Sequence, residues 1–66
     1  MSLSERRWNA NPHLDSIAKN AAIRADDALR EHGSNSKVYQ REQTREREIT
    51  RKINAYLLGE TDVCPY

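Results

Sequence analysis

The side chains that could carry chemistry are few and widely spaced. The two histidines, His13 and His32, lie at opposite ends of a predicted helix. At a rise of about 1.5 Å per residue their rings are about 28 Å apart, too far to share a metal ion. No nucleophile has a visible base, and no glycine-rich loop could cradle a phosphate. We therefore expect no enzymatic activity, no catalytic residue, no cofactor and no metal centre.

The single cysteine, Cys64, cannot form an internal disulfide because the chain has no second cysteine. It stands beside Pro65 in a short polar tail, residues 59–66, which we predict to be too short to fold by itself. A free thiol in a frayed tail is the expected state. An intermolecular disulfide and a docking peptide are the alternatives.

The chain is poor in residues that could build a core. Its 66 residues include only eleven Leu, Ile and Val residues and no Phe, while 32% of the residues are charged. A domain of this size buries little surface on folding, and no disulfide or zinc site is available to strengthen it. We therefore expect the chain to associate with itself, most simply as a homodimer, or with another protein.

Charge and hydropathy restrict the environment. The net charge is only +1, so no overall field attracts the chain to nucleic acid or to a membrane surface. The longest apolar run, residues 55–58, is far too short to span a bilayer, and the N-terminal residues are polar. We expect a soluble cytoplasmic protein without a membrane partner. Small accessory proteins of this kind are typical of phages and mobile elements.

The fold class follows from hydrophobic periodicity. Residues 1–11 show no period and are interpreted as an N-terminal arm that ends in an N-cap, Asn11, before Pro12. Apolar residues then recur on one face of a predicted amphipathic helix, 12–32. Gly33 begins a turn, 33–36, and a second helix is predicted over 37–58. The sequence thus predicts an all-α protein, a two-helix antiparallel hairpin that self-associates into a helical bundle.

The second helix has charged residues at the centre of the face that should contact the first helix. The residues that should face the first helix are apolar at both ends but ionic in the middle, where Glu42 and Arg45 are spaced i and i+3. They are interpreted either as solvated side chains or as a polar layer that fixes register or partner choice. Alanines on the first helix would let the stem of Arg45 lie across them.

Basic residues gather on one flank of the second helix, which we call the basic flank. Its members are Lys37, Arg41, Arg45, Arg51 and Lys52. A basic stripe is typical of proteins that follow the phosphates of nucleic acid. The competing interpretations are that acidic residues of the first helix, such as Asp26 and Asp27, neutralise the basic flank, or that its side chains are simply solvated.

Two further positions are candidates for contact with a partner. Arg6, Arg7 and Trp8 combine charge and an aromatic ring, a set that suits a pocket in another protein or stacking on a base. The alternative is that the indole folds back over the end of the hairpin. Ile23 lies opposite the apolar face of the first helix and matters only if a subunit or partner packs there.

The segment REHGSNSKVYQRE, residues 30–42, locally resembles the turn between the two helices of ribbon-helix-helix repressors. Membership would imply a strand before the first helix and binding to DNA. The preceding residues do not alternate as a strand would, and Glu42 falls where that fold has an apolar core residue. We therefore predict no such membership.

Together these features favour a small non-enzymatic protein-binding module, an adaptor or inhibitor of a larger protein. The expected partner-binding residues are Arg6, Arg7, Trp8, Ile23, Glu42 and Arg45. The alternative function is that of a nucleic-acid-binding regulator that uses the basic flank.

Overall fold

The computed structural model describes residues 2–66, and the regular structure in that range is all helical. Helix α1 spans Leu3–Ala10, α2 spans His13–His32, and α3 spans Lys37–Leu57. No strand occurs between residues 2 and 66. The prediction of an all-α protein is therefore confirmed. The prediction of only two helices is wrong, because the segment interpreted as an irregular arm contains α1.

Helix α1 is held by its cap and by α3. The Ser2 hydroxyl accepts a hydrogen bond from the backbone N–H of Glu5 at 3.2 Å. The Ser4 hydroxyl donates to the carbonyl of Leu57 at 2.8 Å. No residue of α1 is fully buried. An isolated helix of this length is unstable in water, so the contacts with α3 must maintain it.

Helices α2 and α3 form the antiparallel hairpin. Pro12 has the helical φ of −62° expected before α2, but Asn11 is not a side-chain cap. Its amide instead donates to the carbonyl of Arg7 at 2.8 Å and to the hydroxyl of Tyr56 at 3.2 Å. Gly33 ends α2 with a φ of 83°, which favours glycine. The Ser36 hydroxyl then caps α3.

The apolar core lies at one end of the hairpin, which we call the base. Its buried members are Leu14, Ala21, Ile49, Ile53 and Tyr56. Towards the turn, α2 presents the small side chains of Ala25 and Ala28. The molecule measures 41 × 18 × 16 Å with a radius of gyration of 13.7 Å, against about 11 Å expected for a compact chain of this length. It is a rod with a core at one end.

The C-terminal tail folds against the base, contrary to the prediction of a frayed end. One guanidinium nitrogen of Arg7 donates to the carbonyls of Tyr56 and Thr61, both at 2.6 Å. The same guanidinium lies over the Tyr56 ring, 4.5 Å from its centroid. Cys64 is half-buried and packs against the core. The tail sequence alone does not predict this arrangement, because Arg7 on α1 and His13 at the start of α2 hold the tail in place.

Candidate binding surfaces

The three N-terminal candidates, Arg6, Arg7 and Trp8, differ in their exposure to solvent. Trp8 is half-buried and packs against the core cluster, and Arg7 is engaged by α3 and the tail. Of the three predicted residues, only Arg6 is fully exposed. The indole therefore covers the base of the hairpin, and most of this set is occupied within the chain.

Glu42 lies within the contact between α2 and α3. Its carboxylate is 3.5 Å from the guanidinium of Arg24, on α2, and 4.0 Å from that of Arg45. The Glu42 side chain is only 18% exposed, whereas those of Arg24 and Arg45 are 58% and 52% exposed. The acid is inside the interface and the two guanidinium groups are at its edge. We call Arg24 and Arg45 the arginine pair.

The contacts of Glu42 are ionic rather than hydrogen-bonded. Both separations exceed the usual range for N–H···O hydrogen bonds, and the Oε2 atom is buried without a hydrogen-bond partner in residues 2–66. One carboxylate therefore faces two cations. The guanidinium groups keep donors that point towards solvent, since each group carries five N–H bonds.

An open groove runs along the same edge of the hairpin, next to the arginine pair. It encloses about 440 Å³, and we call it the edge groove. Its lining residues are Ile17, Asn20, Ala21, Ile23, Arg24, Arg45 and Ile49. The predicted partner residue Ile23 is 57% exposed at its rim. The structure thus brings Ile23 and Arg45 to one surface, with Glu42 beyond its charged end.

Arg24 and Asn20 were not among the residues that the sequence analysis selected. A signal for Arg24 was nevertheless present. Counting equal numbers of residues back from the turn of an antiparallel hairpin places Arg24 at the level of Arg45, one turn from Glu42. The pattern of α3 alone contains Arg45 but not Arg24, because Arg24 lies on the other helix.

The basic flank is not neutralised as one interpretation expected. Of its members, only Arg45 forms an ion pair within residues 2–66. Two acids of α2 pair along their own helix, Asp15 with Lys19 at 2.9 Å and Asp26 with Arg30 at 3.0 Å. The four remaining residues are exposed, namely Lys37, Arg41, Arg51 and Lys52.

His13 and Cys64 meet at the base, although the sequence analysis considered them separately. The cysteine sulfur is 3.7 Å from Nε2 of His13, and that nitrogen is 2.7 Å from the carbonyl oxygen of Tyr66. Across the described residues no three potential metal ligands gather. This contact ties the tail to the start of α2.

Comparison with known proteins identified no relative of this chain. No family model, curated protein or solved structure matches the chain. Within residues 2–66, no helix combines the length and apolar character needed to cross a membrane. The interpretation of function therefore rests on the surfaces described above.

Proposed function

We propose that this chain is a small, cytoplasmic, non-enzymatic protein-binding module that acts as an adaptor or inhibitor of a larger protein. The supporting observation is the edge groove, which combines aliphatic side chains with two half-exposed arginines. Arginine and exposed aliphatic surface are features of protein interfaces, where arginine is enriched in the central contacts. Residues of both α2 and α3 line the groove.

The test is affinity capture with the full chain as bait, in a lysate of the organism that encodes it, followed by mass spectrometry. Bait with Ile23→Asp is the matched comparison, because Ile23 is exposed and its replacement leaves the core intact. A stoichiometric partner protein that is reduced on the Ile23→Asp bait supports the proposal. Recovery of nucleic acid alone, or of no partner, overturns it.

We also propose that the chain associates with itself. The half of the rod near the turn buries mainly alanines and leaves Leu29 and Val38 exposed by 38% and 39%. A second copy could cover such surface, and a chain with so small a core gains most from doing so. Light scattering after size-exclusion chromatography, at several concentrations, should give a dimer mass. A monomer mass of 7.7 kDa at every concentration would contradict self-association.

A second candidate function is binding of nucleic acid through the basic flank. The observation that favours it is that Lys37, Arg41, Arg51 and Lys52 are exposed and form no ion pair within residues 2–66. A variant with Gln at residues 41, 51 and 52, the triple glutamine variant, should then lose affinity for RNA or DNA. Wild-type affinity should fall steeply with salt as counterions are released. Undetectable binding at about 50 mM salt would remove this candidate.

A further inference from the structure

The edge groove has an aliphatic floor and one charged end. Ile17, Ala21 and Ile49 form its apolar part, and Arg24 and Arg45 close it towards the turn. Its volume of about 440 Å³ falls in the range of roughly 300–1,000 Å³ that is typical of ligand pockets. The groove is open along its length, so an elongated segment fits it better than a compact small molecule.

The charged end has an excess of positive charge. Glu42 supplies one negative charge between two guanidinium groups at 3.5 and 4.0 Å. Asp27 and Glu31 lie beyond Arg24 in the adjoining depression towards the turn, so the positive excess is confined to the arginine pair itself. A carboxylate brought to this end would restore balance and could accept charge-assisted hydrogen bonds from both arginines.

The length of the groove indicates what shape of occupant fits. Ile17 and Arg24 are seven residues apart on α2, which corresponds to about 10 Å or two helical turns. A helix laid along the groove would place aliphatic side chains one turn apart on the floor and an acid about two turns from the first of them.

We propose that the edge groove binds an amphipathic helix of a partner protein that carries Leu or Ile on one face and Asp or Glu about two turns away, opposite the arginine pair. This inference rests on the proposed function and specifies the chemistry of its partner. Aliphatic contacts supply affinity, and the acid fixes the direction and register of the bound helix.

The groove of a second copy lacks the acid that the arginine pair would need. In a two-fold interface with parallel grooves, the two arginine pairs would meet each other. With antiparallel grooves, each arginine pair would meet the apolar end of the other groove, where no lining residue is acidic. Neither arrangement brings a carboxylate to the arginine pair, so we place self-association on another surface.

Nucleic acid is also disfavoured at the groove itself. Single-stranded binding sites use aromatic rings on which bases stack, and the lining residues include none. A helix with aliphatic side chains and an acid on one face could contact both the apolar floor of the groove and the arginine pair.

The test is selection of helical peptides from a random display library on the immobilised full chain. The probe then used is the synthetic form of the most enriched peptide. We expect enriched peptides to pair Leu or Ile with an acid about two turns away. Backbone NMR shifts should map the peptide to the edge groove. The double variant Arg24→Gln, Arg45→Gln should bind the peptide about tenfold or more weakly, since charge-assisted hydrogen bonds to both guanidinium groups are lost.

The matched control is Arg30→Gln, which removes an exposed α2 arginine that does not line the groove. It should change affinity less than about twofold. Circular dichroism verifies that each variant remains folded. The proposal is overturned if no peptide is enriched, if enriched peptides lack acids, if the double variant binds as wild type, or if RNA binds the groove in their place. A native partner that is captured equally by the double variant would sustain the proposed function and refute this assignment.

Discussion

Replacing Glu42 with Leu should stabilise the protein. The Glu42 side chain is 18% exposed, and its Oε2 atom is buried without a hydrogen bond within residues 2–66. Leaving a polar atom unsatisfied in this way costs about 1–3 kcal/mol. Loss of the two partly exposed ion pairs should cost no more than about 1 kcal/mol each. Leu also adds two carbon groups to the helix contact, at about 0.8 kcal/mol for each when buried.

With both ion-pair losses taken at their upper limit, the sum is a net stabilisation of about 0.6–2.6 kcal/mol. Each kcal/mol should raise Tm by about 4–8 °C for a domain of this size. Urea and thermal melts of wild type and Glu42→Leu, at matched concentrations, measure it. Arg24→Ala should destabilise wild type by about 1 kcal/mol, because Glu42 then loses its shorter ion pair. In the Glu42→Leu background the same change should have almost no effect.

These stability changes distinguish a Glu42 carboxylate inside the helix interface from a solvated one. A solvated Glu42 would give changes below about 0.5 kcal/mol for every variant, and the effects would add. Destabilisation by Glu42→Leu of more than about 1 kcal/mol would refute the reasoning, since it would mean that the ion pairs contribute more than desolvation removes. An Arg24→Ala effect of equal size in both backgrounds would refute the coupling.

Other predictions concern the base, the turn and the basic flank. Arg7→Lys should lower the free energy of unfolding by about 1–2 kcal/mol, because an ammonium cannot reproduce the stacked guanidinium contact. Asp62→Asn, at a carboxylate 98% exposed, should change it by less than about 0.5 kcal/mol. Similar urea midpoints for the two variants would argue against a stabilising role for the contacts of Arg7 with Tyr56 and Thr61. Gly33→Ala should destabilise by about 1–3 kcal/mol through backbone strain alone, because Gly33 has φ 83° and ψ 166° and no atom lies within 4 Å of the added carbon. An unchanged thermal melt would contradict this conformation of the turn. The triple glutamine variant should unfold within about 0.5 kcal/mol of wild type because its exposed cations have no partner, and a larger loss in urea melts would reveal pairing that the fold does not show.

Much of the hairpin could be predicted because its signals are local. Gly33 and Ser36 define the turn through their own backbone preferences, and the alanines mark the contact face of α2 by their period. The structure has α2 over His13–His32 and α3 over Lys37–Leu57, against the predicted 12–32 and 37–58. Differences of one residue at helix ends are expected even between assignment methods.

The base could not be predicted in the same way because its elements depend on one another. Helix α1 has no apolar period of its own and is held by distant contacts from Ser4 and Arg7 to α3. One local signal was available: Ser2 and Glu5 form the S-x-x-E pattern of a helix start, and Ser2 does accept the Glu5 N–H. The position of Arg24 required the register of two helices together, which no single-helix pattern contains.

Glu42 connects stability to binding at the edge groove. If its replacement by Leu stabilises the fold, then the carboxylate opposes folding where it stands, and its role must be sought in the arginine pair that it holds. Without Glu42 both guanidinium groups would lose their shared anchor and would have to be ordered by the incoming helix. The more stable variant should therefore bind an acidic helix with a less defined register, since the arginines would no longer be fixed before binding. Stability and recognition at this position would then be separable by one substitution.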